Sequence, residues 1–241
     1  MVRNRFITPS AILAFALILS TIIFSGTWRK IKSENQIITV TGSAKAVIVS
    51  DLGILRGTLT VEATTAREAY RELEIQKPVL LSYFKSKGFA GDKVNYQTIS
   101  TFPNYNFNTQ GQNAGVRSYT CSQIIDISSS NVNLIKEMSL EISALVERGV
   151  IFQVNPPEFY YTKIGDIKIE IQAQAAKDAM TRGQRIAEAT GRELGTLKSA
   201  RMGVLQITPE NSNLTSDYGV NDVSSIRKEI VAVVNANFEI D

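Results

Sequence analysis

One cysteine, Cys121, and no histidine occur in this chain of 241 residues, and those two counts decide which chemistry is open to it. Without His, the Ser-His and Cys-His nucleophilic pairs, imidazole acid/base catalysis and the common zinc sets are closed. A lone Cys forms no intrachain disulfide. Within Tyr119-Thr-Cys-Ser-Gln-Ile-Ile-Asp-Ile127, alternation puts Tyr119, Cys121, Ile125 and Ile127 on one strand face, which suits a small buried hydrophobe. As a redox thiol, Cys121 lacks a sequence neighbour of positive charge to lower its pKa, and a second Cys to resolve a sulfenic acid. What remains for an enzyme is carboxylate chemistry. Two carboxyl groups can act as general acid and base in hydrolysis, and Asp126, Glu170 and Asp178 are the candidates. Nothing in their spacing separates them from ordinary surface acids, so the sequence assigns no catalytic, cofactor-binding or metal-ligating residue.

The elements that would carry such groups begin with an N-terminal apolar run. From Phe6 to Trp28 there is no charged residue, with Arg3 and Arg5 before the run and Arg29, Lys30 and Lys32 after it. At about 1.5 Å per residue such a helix matches a hydrocarbon core about 30 Å thick. Two readings compete: a cleaved signal peptide and an uncleaved signal anchor. The run is longer than a signal peptide's apolar core, and Ser25-Gly26-Thr27 is a poor cleavage site. Trp28 followed by Arg29 and Lys30 suits an interfacial belt, so the anchor is favoured. The expected organisation is residues 1–32 as anchor and 33–241 as an extracytoplasmic domain of a single-pass protein in a bacterial inner membrane.

Five of the 26 Lys and Arg flank the anchor, leaving 21 against 23 acidic residues in the rest. The domain is therefore mildly acidic and carries no basic stripe, which argues against nucleic acid as a partner.

Beyond the anchor, Ile37 to Val49 reads as a strand interrupted by Gly42, a sign of a bulge or a close backbone approach. Leu55, Gly57, Leu59 and Val61 alternate with polar residues in a second strand. Thr64 or Thr65 can cap a helix whose stripe is Ala66, Tyr70, Leu73, Leu80 or Leu81 and Phe84; Pro78 predicts a kink near Glu74 to Lys77. Strands at Val94–Ser100 and Ser118–Ser128 flank a long Asn- and Gln-rich connection from Thr101 to Gly115. Its Phe102, Tyr105 and Phe107 suit either a recognition surface or a hairpin extension packing on its own stem.

A second helix is expected over Asn131–Arg148, with Leu134, Met138, Ile142 and Leu145 inward and Gly149 as its stop. A short strand follows at Phe159–Thr162. Next comes a helix whose small-residue face is Ile169, Ala173, Ala176, Met180, Gly183, Ala187, Thr190 and Leu194. A strand at Leu197–Ile207, a polar connection at Thr208–Ser225 and a final alternating strand through Ile230, Ala232, Val234, Ala236, Phe238 and Ile240 complete the chain. The fold class is α+β, with about seven mostly antiparallel strands and three helices in one large domain or two packed halves. Val231 and Val233, opposite the apolar face of the last strand, mark it as a candidate for edge pairing between copies.

In order along the chain, Ile38-Thr-Val-Thr-Gly-Ser-Ala44, Leu80 and Leu81, Lys87-Gly88-Phe89, Asp92, Gln97-Thr98-Ile99-Ser100, Tyr105, Gly115, Glu147-Arg-Gly-Val150 and the Ala-rich helix into Thr190-Gly-Arg-Glu-Leu-Gly195 resemble the SIMPL-domain family of periplasmic immunogenic and outer-membrane antigen proteins. The likeness spans residues 37–241. Asn155-Pro-Pro-Glu departs from a more typical Phe-led strand. The resemblance implies an envelope protein of α+β architecture that assembles into homo-oligomers and is linked to oxidative-stress defence; it brings no catalytic residues. Three functions are weighed: a non-enzymatic, membrane-anchored module for self-association or partner binding, which leads; an envelope hydrolase using carboxylates; and a thiol redox protein acting through Cys121.

Overall fold

The computed structural model describes residues 7–33 and 36–240, and within the first helix the side chains of residues 12–28. In order, it contains α1 (Ile7–Ser33), β1 (Ile37–Val49), β2 (Leu52–Ala63), α2 (Ala66–Ser86), β3 (Val94–Tyr96), β4 (Ser100–Phe107) and β5 (Asn113–Ser129). These are followed by α3 (Val132–Glu141), β6 (Phe152–Val154), β7 (Glu158–Tyr160), α4 (Ile164–Ala189), β8 (Leu194–Met202), β9 (Gln206–Pro209) and β10 (Arg227–Ile240). The chain divides into two compact units. The first holds residues up to Ala46, Gly165–Leu205 and those from Val231 onward; the second holds Val47–Ile164 and Gln206–Ile230.

In the second unit, β2 and β5 are long antiparallel neighbours, registered from Gly53 opposite Ser129 to Ala63 opposite Tyr119. β3 and β4 pair with the outer edge of β5, and β6 and β7 with that of β2. One face is apolar because every second residue of β2 is: Leu55, Leu59 and Val61 are buried with Cys121, Ile125 and Ile127 of β5. Onto this face α2 brings Ala69, Leu73, Leu80 and Phe84, and α3 brings Val132, Ile135 and Met138. Thr65 caps α2 by accepting from the Glu68 N–H at 3.2 Å, and Asn131 caps α3 by accepting from the Leu134 N–H at 3.2 Å. α2 continues through Pro78, which lies on its exposed side. Tyr70, expected inward, is 49% exposed.

In the first unit the strand order is β1-β10-β8. The cluster formed by Val40, Ala179, Ala236 and Phe238 has Ile38 and Leu194 packed at its margin. Gly42 marks a close backbone approach: a Cβ there would lie 2.3 Å from both Ala175 O and Ala179 N of α4. The buried stripe of α4 is accordingly Ile171, Ala175, Ala179, Gly183 and Ala187, which shifts the first half of the stripe expected from sequence. Ile169 and Met180 point outward, at 71% and 54% exposure. Across the other sheet face, the Thr39 and Thr41 hydroxyls donate to the Asn237 and Asn235 side chains at 2.8 and 2.7 Å.

Ten strands form among the described residues where about seven were expected. The connection from Thr101 to Gly115 is largely β4 and the start of β5. Leu197–Ile207 is not one strand: the chain leaves β8 at Met202 and enters β9 at Gln206, which pairs with β10. Asn131–Arg148 is α3 followed by a tighter 3-10 segment, Ile142–Arg148, stopped by Gly149 at φ +76°. β10 is the central strand rather than an edge, and Val231 and Val233 are half-buried. Among the described residues no helix is long and apolar enough to cross a membrane; the expected span begins at Phe6, outside the described residues.

Candidate interaction surface

Beyond Tyr119, β5 loses β2 as a neighbour and keeps only β4. The two strands then project as a hairpin whose root is tied on the sheet face opposite the core. Asn104 Nδ2 donates to Ser118 Oγ at 3.0 Å and to Thr120 Oγ1 at 2.8 Å. Glu62 accepts from the Ser118 hydroxyl and from Arg117 Nη2, the latter at 3.1 Å. These two contacts, the Ser118 hydroxyl above all, hold the Glu62 carboxyl below its ordinary range. At the tip, Asn108 Oδ1 accepts from the backbone N–H groups of Gln110 and Gln112 at 3.0 and 2.8 Å. Gly111 at φ +73° completes the reversal. The Asn- and Gln-rich composition is thus turn chemistry.

On this braced arm Phe102, Tyr105, Phe107 and Val116 are 59%, 46%, 68% and 44% exposed. The backbone is the hairpin extension expected as one alternative, but its rings stand exposed rather than packed on their stem. Large apolar rings on an ordered backbone lose little conformational entropy on contact, which suits an interface.

The other singled-out residues do not converge. Cys121 is fully buried between β2 and β4 and accepts a long hydrogen bond from the Thr101 hydroxyl at 3.6 Å. Asp126 faces away from the core, with Asn95 Nδ2 at 3.3 Å and Arg56 Nε at 4.0 Å. Glu170 meets the Gln174 side chain at 3.1 Å on an exposed stretch of α4. Asp178 accepts from the Ser43 N–H at 2.8 Å and from Arg182 Nε at 2.8 Å, and these contacts lower its pKa. It occupies an outward backbone donor in the middle of β1. Among the described residues no group of three or more His, Cys, Asp or Glu is placed to hold a metal ion.

Sequence reasoning missed the Glu62–Asn104–Ser118 cluster because its members come together only through register. It also missed Lys228, buried in β10, whose Nζ donates to Phe159 O at 2.6 Å and to Asp222 O. Alternation with Ile230 and Ala232 was the available signal for that lysine. Burial lowers its pKa, against the attraction of Asp222.

No curated protein matches the chain. A crystal structure of a Burkholderia cenocepacia protein described as an amidohydrolase/peptidase is similar at 14% identity and a TM-score of 0.25, over 51% of this chain and 29% of that one. The chain thus spans under a third of that protein, and a likeness so slight carries no argument about fold or activity. The SIMPL model, a protein of unknown function (DUF541), matches residues 38–238. That range takes in both units, the aromatic hairpin and the Gly42 contact, and the chain belongs to the SIMPL family.

Proposed function

We propose that this protein is a non-enzymatic assembly module of the cell envelope, held at the membrane by its N-terminal helix and joined to further copies of itself through the β4–β5 hairpin. The observation that carries the reading is the ordered hairpin with three outward aromatic rings. The absence of charge from Phe6 to Trp28, between basic flanks, supports the membrane address. So does α1 itself: its described large apolar side chains are 49–70% exposed, a surface that water disfavours and lipid accepts. The hydroxyls of Thr21 and Thr27 donate to Leu17 O and Ile23 O within the helix, as an apolar surrounding requires. Confinement to a membrane plane raises the occupancy of even a weak contact. Any link to oxidative-stress defence then runs through assembly, since the Cys121 thiol is enclosed.

Disulfide trapping in native membranes tests this. In a Cys121→Ala background, Phe107→Cys should give a linked dimer on mild oxidation, whereas Tyr218→Cys, at a site 97% exposed, should not. Equal trapping at both positions, or none at Phe107→Cys, would contradict the reading.

A further inference from the structure

We propose a second contact site, independent of the hairpin: the groove between β1 and α4 receives an extended acidic polypeptide segment, which adds to β1 as a strand. β1 is an end strand of its sheet. Its pairing with β10 is antiparallel, since Gln36 O accepts from the Ile240 N–H at 3.1 Å while Thr39 and Thr41 meet Asn237 and Asn235. Gln36 and every second residue after it therefore turn their backbone groups toward β10, and Thr39, Thr41 and Ser43 turn theirs outward. Ser43 confirms this alternation, because its N–H leaves the sheet for the Asp178 carboxylate.

An open edge invites another strand, and proteins usually block it. Here the block is local. At Gly42 the backbone of α4 presses directly on the strand, and at Ser43 Asp178 fills the outward donor. Toward the start of β1, where Val40 packs against Ala179, the strand and the helix border a groove of ≈ 510 Å³ lined by Thr39, Thr41, Arg182, Arg185 and Ile186, among others. Among the described residues, the outward N–H and C=O groups of Thr39 and Thr41 have no hydrogen-bond partner. Their side chains point elsewhere, to the asparagines of β10. Donors and acceptors repeating every second residue match a polypeptide backbone, which is the ligand that β-augmentation selects.

Charge decides the kind of segment. Arg182 spends its Nε on Asp178, and Arg185 reaches Glu188 at 3.3 Å with its side chain 79% exposed. Guanidinium groups on the helix wall, beside Ile186 at 46% exposure, suit a strand that presents Asp or Glu in alternation with small apolar residues.

The test uses the full chain in detergent micelles and fluorescence anisotropy of a labelled Ser-Glu-Val-Glu-Val-Glu-Ser peptide. Saturable binding is expected, weakened by salt and by replacing each Glu of the peptide with Gln. Arg185→Glu should weaken it about tenfold. Thr41→Pro should do the same by removing an outward N–H while leaving the backbone hydrogen bonds to β10 whole, at the loss of the hydroxyl contact to Asn235. Should Thr41→Pro fail to fold, N-methylation of alternate amides of the peptide replaces it, with the same expected loss. Absence of saturable binding, or binding indifferent to the proline or N-methyl change, would overturn strand addition; binding indifferent to Arg185→Glu and to Gln replacement would overturn the acidic assignment.

Discussion

The two units solve one problem, covering a sheet with helices, by opposite means. In the second unit large side chains fill the gap: Phe84, Leu73, Leu80, Ile125, Ile135 and Met138 are all at most 1% exposed, and Phe84 meets Phe152 edge-on at 6.0 Å. In the first unit the contact is made by having almost no side chain, with Gly42 against Ala175 and Ala179. Volume governs one interior and backbone approach the other. A filled interior tolerates small shifts but suffers from cavities, whereas a backbone contact tolerates no added atom.

The sharpest way to break the comparison is to exchange the insults. Phe84→Ala empties the second unit and should cost about 3–5 kcal/mol by denaturant unfolding. Gly42→Ala adds a single methyl group and should still cost about 3 kcal/mol, since the atoms it meets are helix backbone. A loss well under 1 kcal/mol for Gly42→Ala would show that α4 is free to move away. Cys121→Ala removes one sulfur from the filled interior and should cost about 1 kcal/mol.

A smaller effect comes from pH. Glu62 titrates below its ordinary value of 4.5 because the Ser118 hydroxyl, and then Arg117, bind its charged form. Its contribution is fully present above pH 4.5 and is lost as pH falls through the depressed folded value. Amide protection, corrected for the intrinsic exchange rate at each pH, should therefore fall first at the hairpin root in acid, and Glu62→Gln should abolish that pH dependence. Unchanged protection in the wild-type hairpin down to that range would separate Glu62 from the bracing of the arm. Smallest of all, Phe102→Ala and Phe107→Ala should change stability by no more than about 0.5 kcal/mol, because exposed rings support little packing.

How much of this was legible in sequence follows the same division. Period-two alternation in β2 and β10 and a cap at Thr64 or Thr65 could be read because large apolar and hydroxyl-bearing residues leave a pattern. The phase of α4 could not. Ala173 and Ala176 look no different from Ala175 and Ala179 in sequence, and only the approach of Gly42 selects between them. β4 was hidden by Pro103 and the asparagines, residues that disfavour central strands but are tolerated in a strand bonded on one side. The exposed rings were visible as composition, whereas their bracing by Glu62 and Ser118, 56 positions apart, depended on register.

The most direct test of the central claim is the mass of the full chain in detergent by light scattering, for the wild type and for the variant carrying Phe102→Ala, Tyr105→Ala and Phe107→Ala. Assembly through the hairpin predicts a wild-type protein mass that is a multiple of the monomer and a variant of unchanged circular dichroism at the monomer mass. A monomeric wild type, or a variant that assembles as the wild type does, would contradict it.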